Sequence, residues 1–262
     1  MSTPHRSYEP RPLSSSLTRL TARFTLWSAL TLGLLLTLKD AAAAPPARVT
    51  INGSVVDVRW SDGDSLRFLS GRLRGERARL MGYNTLESYG PVHKWGEWSE
   101  WGLYKIAKGA KDVASLEAWE CSLDEQKDHY GRYLMRCPKL TERMVSEGVA
   151  HIFEVSGDPS KELLALQQAA IDGRKGMWAK GAPEGLMTSI HSADEPHFKG
   201  QPAYNRVANL KTGWANKHFH QDKYQSCQWV CLKGSCMLYV PFKQRYGDAR
   251  PDCLRWSGSK GR

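Results

Sequence analysis

Apolar and polar residues alternate over residues 49–59, the period of a half-buried strand. Ser61-Asp62-Gly63-Asp64 follows as a turn, because Asp and Gly accept the dihedrals that a tight turn demands. Residues 65–69 read as a second strand, ended by Ser70-Gly71, and residues 77–83 as a third. Trp95, Trp98, Trp101 and Tyr104 recur every third residue, a drifting helical stripe that Gly109 is placed to stop. Residues 113–121 and 133–137 read as strands on either side of a turn at Tyr130-Gly131. Residues 141–147 are expected as a short helix with Gly148 after it. Ser160 caps another, with Leu163, Leu166 and Ala170 on one face and Gly173 at its end.

Five strands with three helices among them predict an α+β fold: a small five-stranded antiparallel barrel of the OB type with three helices. Composition agrees with a packed core. Of 262 residues, 41% are hydrophobic and 24% charged, which excludes wholesale disorder. A mean hydropathy of −0.51 excludes a multi-span membrane protein. The single long apolar run, residues 24–38, follows Arg6, Arg11, Arg19 and Arg23 and precedes a string of alanines at 41–44. Basic region, apolar run and small-residue cleavage site make residues 1–44 a signal peptide. The expectation is an exported protein, periplasmic or secreted, with no stable membrane insertion after cleavage.

Six cysteines lie beyond that segment, and an even number in an oxidising compartment reads as disulfides. Cys121 and Cys137 flank a turn-rich stretch and are suited to bridging two strands. Cys227, Cys231 and Cys236, with His218 and His220 nearby, offer zinc binding as the alternative to pairing.

Charge divides the chain unevenly. The net charge of +10 is composed of +3 over residues 1–44, −2 over 45–196 and +9 over 197–262. A linker is expected at 181–203, rich in Gly, Pro, Ser and His, and a basic, Cys- and aromatic-rich extension at 204–262, stapled by disulfides. Its aromatics, among them Trp214, Phe219, Tyr224 and Trp229, interleave with Lys and Arg. Three readings stay open for it: capture of nucleic acid by stacking and charge, a small core with solvated charges, or attachment to an anionic envelope. As an appendage, its removal near Gly181 is expected to leave the barrel and its chemistry intact.

Candidate chemistry lies at strand ends and turns. Cleaving a phosphodiester needs cations against the phosphate, a base for water, and donors for the developing charge. Asp62 and Asp64 sit in the first turn, Arg79 on the third strand, Asn84, Thr85 and Glu87 at its end, and Arg132 just past Tyr130-Gly131. The carboxylates suit a hard cation and the arginines a phosphate.

Their order is more specific than any one of them. Asp62-Gly63-Asp64-Ser65-Leu66-Arg67, then Arg79-Leu80-Met81-Gly82-Tyr83-Asn84-Thr85-Leu86-Glu87, then Asp128-His129-Tyr130-Gly131-Arg132-Tyr133-Leu134 closely resembles the staphylococcal nuclease (thermonuclease) family. Residues 144–150 and 170–178 agree, so the resemblance covers about residues 48–180, and a nuclease-like domain is expected at 45–180. It implies an OB-type barrel and a Ca²⁺-dependent hydrolase acting as a monomer on DNA and/or RNA and leaving 3′-phosphates. It implies Asp64, Asn84 and Thr85 as metal ligands, Thr85 through its carbonyl. Glu87 falls on the base that aligns water, Arg79 and Arg132 on the catalytic arginines that grip the phosphate, and Tyr130 on a substrate-binding tyrosine beside the nucleotide. Two positions depart from the family pattern. Asn84 replaces an aspartate and Leu86 a proline, which removes one negative charge and one rigid bond. A non-catalytic nucleic-acid or cell-envelope binding protein on the same barrel is the alternative function.

Overall fold

The computed structural model describes residues 46–192, 195–196, 202–221 and 223–255. The expected signal peptide lies outside the described residues. Among these, no helix is long and apolar enough to cross a membrane.

A hairpin opens the described chain. β1 (Ala47–Ile51) and β2 (Ser54–Trp60) pair antiparallel across Asn52-Gly53, with Ile51 opposite Ser54. Both turn residues have positive φ, 51° and 76°, the conformation that Asn-Gly favours in two-residue hairpins. The single strand expected over 49–59 is therefore two, because this dipeptide interrupts the alternation. β3 (Ser65–Phe68) and β4 (Arg77–Leu80) continue the meander. β5 (Gly82–Thr85) leaves it after Met81, where Gly82 has a φ of 87°. β6 (His93–Trp95) precedes α1 (Glu100–Ala114), and β7 (Trp119–Lys127) and β8 (Tyr133–Arg136) return to the meander.

A closed barrel results, in the order β1-β2-β3-β4-β8-β7. It has six strands, not five, and is not wholly antiparallel: β1 runs parallel to β7 and β4 to β8. The long β4-to-β8 connection, carrying β5, β6, α1 and β7, lets β8 enter in parallel. Val49, Val58, Leu66, Phe68, Leu80 and Met135 fill the interior.

Helix α1 differs from the aromatic stripe read in the sequence. Ser99 caps it, accepting from Gly102 N at 3.2 Å, and its buried face is Leu103, Ala107, Ala110 and Ala114. Trp95 belongs to β6, Trp98 lies ahead of the helix, and Trp101 is 40% exposed. The helix runs through Gly109, since a solvent-facing glycine costs only about 1 kcal/mol against alanine. It therefore consumes residues 113–114 of the strand expected at 113–121. α2 (Pro138–Ser146), β9 (Ala150–Phe153) and α3 (Lys161–Asp172) complete this part. The Ser160 cap and the Gly173 end stand where the sequence placed them.

Where composition suggests a linker, β10 (Gly185–His191) is a strand. It pairs with β11 (Tyr204–Asn209), which pairs with β12 (Ala215–Phe219). β10 is buried on both faces along most of its length, so it lacks the alternation that marks a strand. β13 (Gln228–Leu232) and β14 (Ser235–Tyr239) form a hairpin whose third strand is β6. Trp95, Leu103, Met177 and Trp178 pack with Leu186 and Leu210 in one cluster. Within the unit 45–262, the C-terminal part is thus built into the rest.

All six cysteines are oxidised: Cys121–Cys137, Cys227–Cys253 and Cys231–Cys236. The first is the pair expected from sequence; the other two leave no thiolate for zinc. Three disulfides fit an oxidising compartment.

Candidate active site

Asp64 ends the β2–β3 turn and is 2% exposed. Burial alone would raise its pKa. The charge of Arg79 and two donors from Thr85, N at 2.7 Å and Oγ1 at 2.8 Å, outweigh it and hold the carboxyl below the usual range. Asp62 takes the opposite course, because burial and the neighbouring Asp64 charge raise it. Its carboxylate accepts from Asp64 N at 3.1 Å and shapes the turn.

The turn sits where it does because Gly63 has no side chain. A Cβ there would lie 2.5 Å from Thr85 Cγ2, 2.7 Å from Ala110 Cβ and 2.8 Å from Met144 Cε. Tyr83, fully buried, donates its hydroxyl to Gly63 O at 2.8 Å. Burial keeps that phenol protonated, its pKa well above normal. So the β2–β3 turn is clamped onto β5.

Arg79 reaches across from β4. Its guanidinium donates to Asp64 Oδ1 and to Asn84 Oδ1 at once. Asn84 in turn donates from Nδ2 to Thr85 O at 2.8 Å. Asp64, Arg79, Asn84 and Thr85, from three separate stretches of chain, thus form one hydrogen-bonded cluster.

Glu87 follows β5, and its backbone N donates to His93 Nε2 at 3.1 Å. Burial lowers the His93 pKa to about 3, so the ring stays neutral and keeps that acceptor. Burial, then the charge of Asp64, push the Glu87 carboxyl up to about 7, while Arg79, Arg245 and Arg132 pull it down. Nothing in the local pattern marks His93 or Arg245. Each acts through a backbone or charge contact that only the fold creates.

Arg132 and Tyr130 stand on the β7–β8 turn, apart from the cluster. Asp128 shapes this turn, accepting from Tyr130 N and Arg132 N at 2.9 Å each. It also takes Arg132 Nε at 2.8 Å, and the guanidinium lies 5.2 Å from the Tyr130 ring centre. Arg132 therefore joins the others through its charge on Glu87 rather than by a hydrogen bond to them.

A hard cation takes oxygen ligands. The donor chemistry here fits: Asp64 Oδ1 and Asn84 Oδ1 converge on one positive point, now the Arg79 guanidinium, with the Asp62 carboxylate alongside. Among the described residues no three acidic, His or Cys side chains cluster for a metal. Other ligands would have to be backbone, water or substrate oxygens. A cavity of about 750 Å³ between α2, α3 and β9, lined by Thr141, Ile152 and Leu163 among others, contains none of the cluster residues.

Residues 77–180 match the family model described as Staphylococcal nuclease homologue. The match takes in Arg79, Asn84, Thr85, Glu87, Tyr130 and Arg132, and begins after Asp64. Comparison with curated proteins gives no match.

Proposed function

With residues 77–180 belonging to the staphylococcal nuclease homologue family, we propose that the protein is an exported, Ca²⁺-dependent nuclease that hydrolyses phosphodiester bonds of DNA and/or RNA to 3′-phosphates. The observation that carries this reading is the convergence of Asp64, Arg79 and Asn84 at one point, with Glu87 held nearby. Two of the motifs, residues 62–67 and 79–87, meet in this cluster, and Arg132 of the third bears on Glu87 through its charge.

Asp64, Asn84 and the Thr85 carbonyl are the groups that would hold the cation, which supplies positive charge against the phosphate. Asn84 contributes an oxygen without a charge, so a cation is held less firmly than by an aspartate there. Glu87, ionising near neutrality, accepts a proton from a water molecule whose oxygen forms the new bond to phosphorus. The bond to the 5′-oxygen breaks, and that oxygen is protonated from solvent. Arg79 and Arg132 neutralise the charge gathering on the phosphoryl oxygens. His93 keeps the Glu87 backbone in place.

The test uses purified protein on single- and double-stranded DNA and RNA, with Ca²⁺, Mg²⁺ or chelator. Cleavage is expected with Ca²⁺ and lost with chelator. Glu87→Gln is expected to lower kcat by about 10²–10⁴, the usual worth of a general base, with KM little changed. Binding without turnover in the wild type, under every metal condition, would leave a nucleic-acid binding protein instead.

A further inference from the structure

The sheet β10-β11-β12 has two unlike faces. Met187, Ile190 and Val207 point to one side and pack with Val230 and Met237. A β-bulge between Met187 and Ser189 shifts the alternation in β10, so Ser189 and His191 face the other way with Tyr204 and Arg206. In register across the three strands, one row is His191, Tyr204 and Phe219, and the next is Ser189, Arg206 and Lys217. Tyr204 lies at the centre of this face. Lys217 Nζ is 4.7 Å and Arg206 Cζ 5.4 Å from its ring centre, and Phe219 meets it edge-on at 5.9 Å. Tyr204 is buried, but Phe219 at the edge is 63% exposed and Lys217 is exposed. An open aromatic ring beside two cations has the chemistry of a stacking platform for bases with charge for the backbone.

The sheet is joined to the candidate site through packed, largely buried side chains. Asn84 on β5 pairs with His151 on β9; the His151 ring lies 6.2 Å from that of Phe153, and Arg206 Cζ lies 5.9 Å from Phe153. β12 is fastened to the same strand end, with Ala215 N donating to Glu154 O at 2.8 Å. From the other side, burial first, and then the charges of Glu195 and Tyr204, raise the Tyr130 phenol to about 12.

We propose that Phe219, Lys217 and Arg206 form a binding site for single-stranded nucleic acid, holding nucleotides that lie beyond the scissile phosphate. The proposal rests on the nuclease reading for its link to turnover, but not for binding. Single strands are favoured because stacking on Phe219 needs an unstacked base, which a duplex does not offer. The site selects for substrate length rather than for sequence, since every base has a face to stack.

Phe219→Ala and Lys217→Ala, singly and together in the full chain, test this. Both side chains are at the surface, and an unchanged Tm shows that the fold is kept. Substrates are a dinucleotide and a single strand of about 16 nucleotides, the upper span of an OB-type footprint. Phe219→Ala is expected to raise KM on the long strand roughly tenfold, the effect of one lost stack. Lys217→Ala should lower the slope of log affinity on log salt by about 0.7, one phosphate contact on a single strand. Neither should change kcat or dinucleotide cleavage. If wild type cleaves both substrates and the variants match it on both, this site does not exist while the nuclease reading stands. If wild type cleaves neither but binds the long strand in a Phe219-dependent way, the binding site stands and the nuclease reading falls. Should the variants instead lose binding only to anionic lipid vesicles, the face is an envelope contact and the proposal is overturned.

Discussion

The barrel and the C-terminal sheets use their charges in opposite ways. In the barrel, Asp64, Arg79 and Asn84 are drawn inward to one cluster, and their pairing is strong because water is largely excluded. Residues 197–262 carry net +9, and much of that charge, such as Lys217 and Lys233, stays at the surface. Yet the second region is not a loose charged tail. β14 takes β6 as its partner, and Arg245 donates to Glu195 Oε1, Ile190 O and Val240 O. Charge alone would have called it an appendage; its apolar residues make it a wall of the molecule.

Deleting everything after Gly181 tests that contrast hardest. It strips the cover from Leu86, Trp95, Met177 and Trp178, whose cluster includes Leu186 and Leu210. Each large side chain re-exposed costs about 1.5–3 kcal/mol, together comparable with a whole domain's stability of about 5–15 kcal/mol. The truncated chain is expected to lose its cooperative thermal transition. A truncated protein that melts near the full-length Tm and keeps kcat would restore the appendage.

Next in size come the two arginines, which separate structure from chemistry within the barrel. Arg132→Ala leaves Asp128 its two backbone donors, so the fold should hold while kcat falls about 10²–10³. Arg79→Ala should cost activity and about 3–5 kcal/mol of stability besides, because it leaves Asp64 buried without its cation. Denaturant melts beside kinetics distinguish them. Equal stability losses in the two variants would contradict the unequal burial.

Acid should loosen the C-terminal region through Glu195, an effect of about 1–3 kcal/mol. Burial opposes ionisation there, but His191, Arg245 and Ser192 N hold the pKa below the usual carboxylate value. A depressed pKa stabilises the fold above the unfolded value, near 4.5, and that contribution is lost as pH falls through the folded pKa. Protection from hydrogen exchange, taken against the intrinsic rate at each pH, should therefore fall in β10 and the 242–245 segment at acid pH before it falls in β2 and β3. Glu195→Gln should remove that pH dependence and leave the region weakened at neutral pH. Uniform exchange across both regions would mean that this ion pair does not govern the extension.

Residue order alone pointed to the residues that the barrel gathers into its polar cluster. Residues 62–67, 79–87 and 128–134 are short and contiguous, and turn residues, strand alternation and caps are encoded within a few positions of one another. Asn52-Gly53 carried a hairpin just as plainly, and reading 49–59 as one strand passed over it. What the alternation left open was settled by partners far along the chain. The parallel entry of β8 and the β6–β14 pairing both depend on loops closing over long separations, for which no local pattern exists. β10 escaped notice for a related reason. A strand covered on both faces has no polar side to alternate with, so its own residues cannot announce it until the sheet and the core around it are in place.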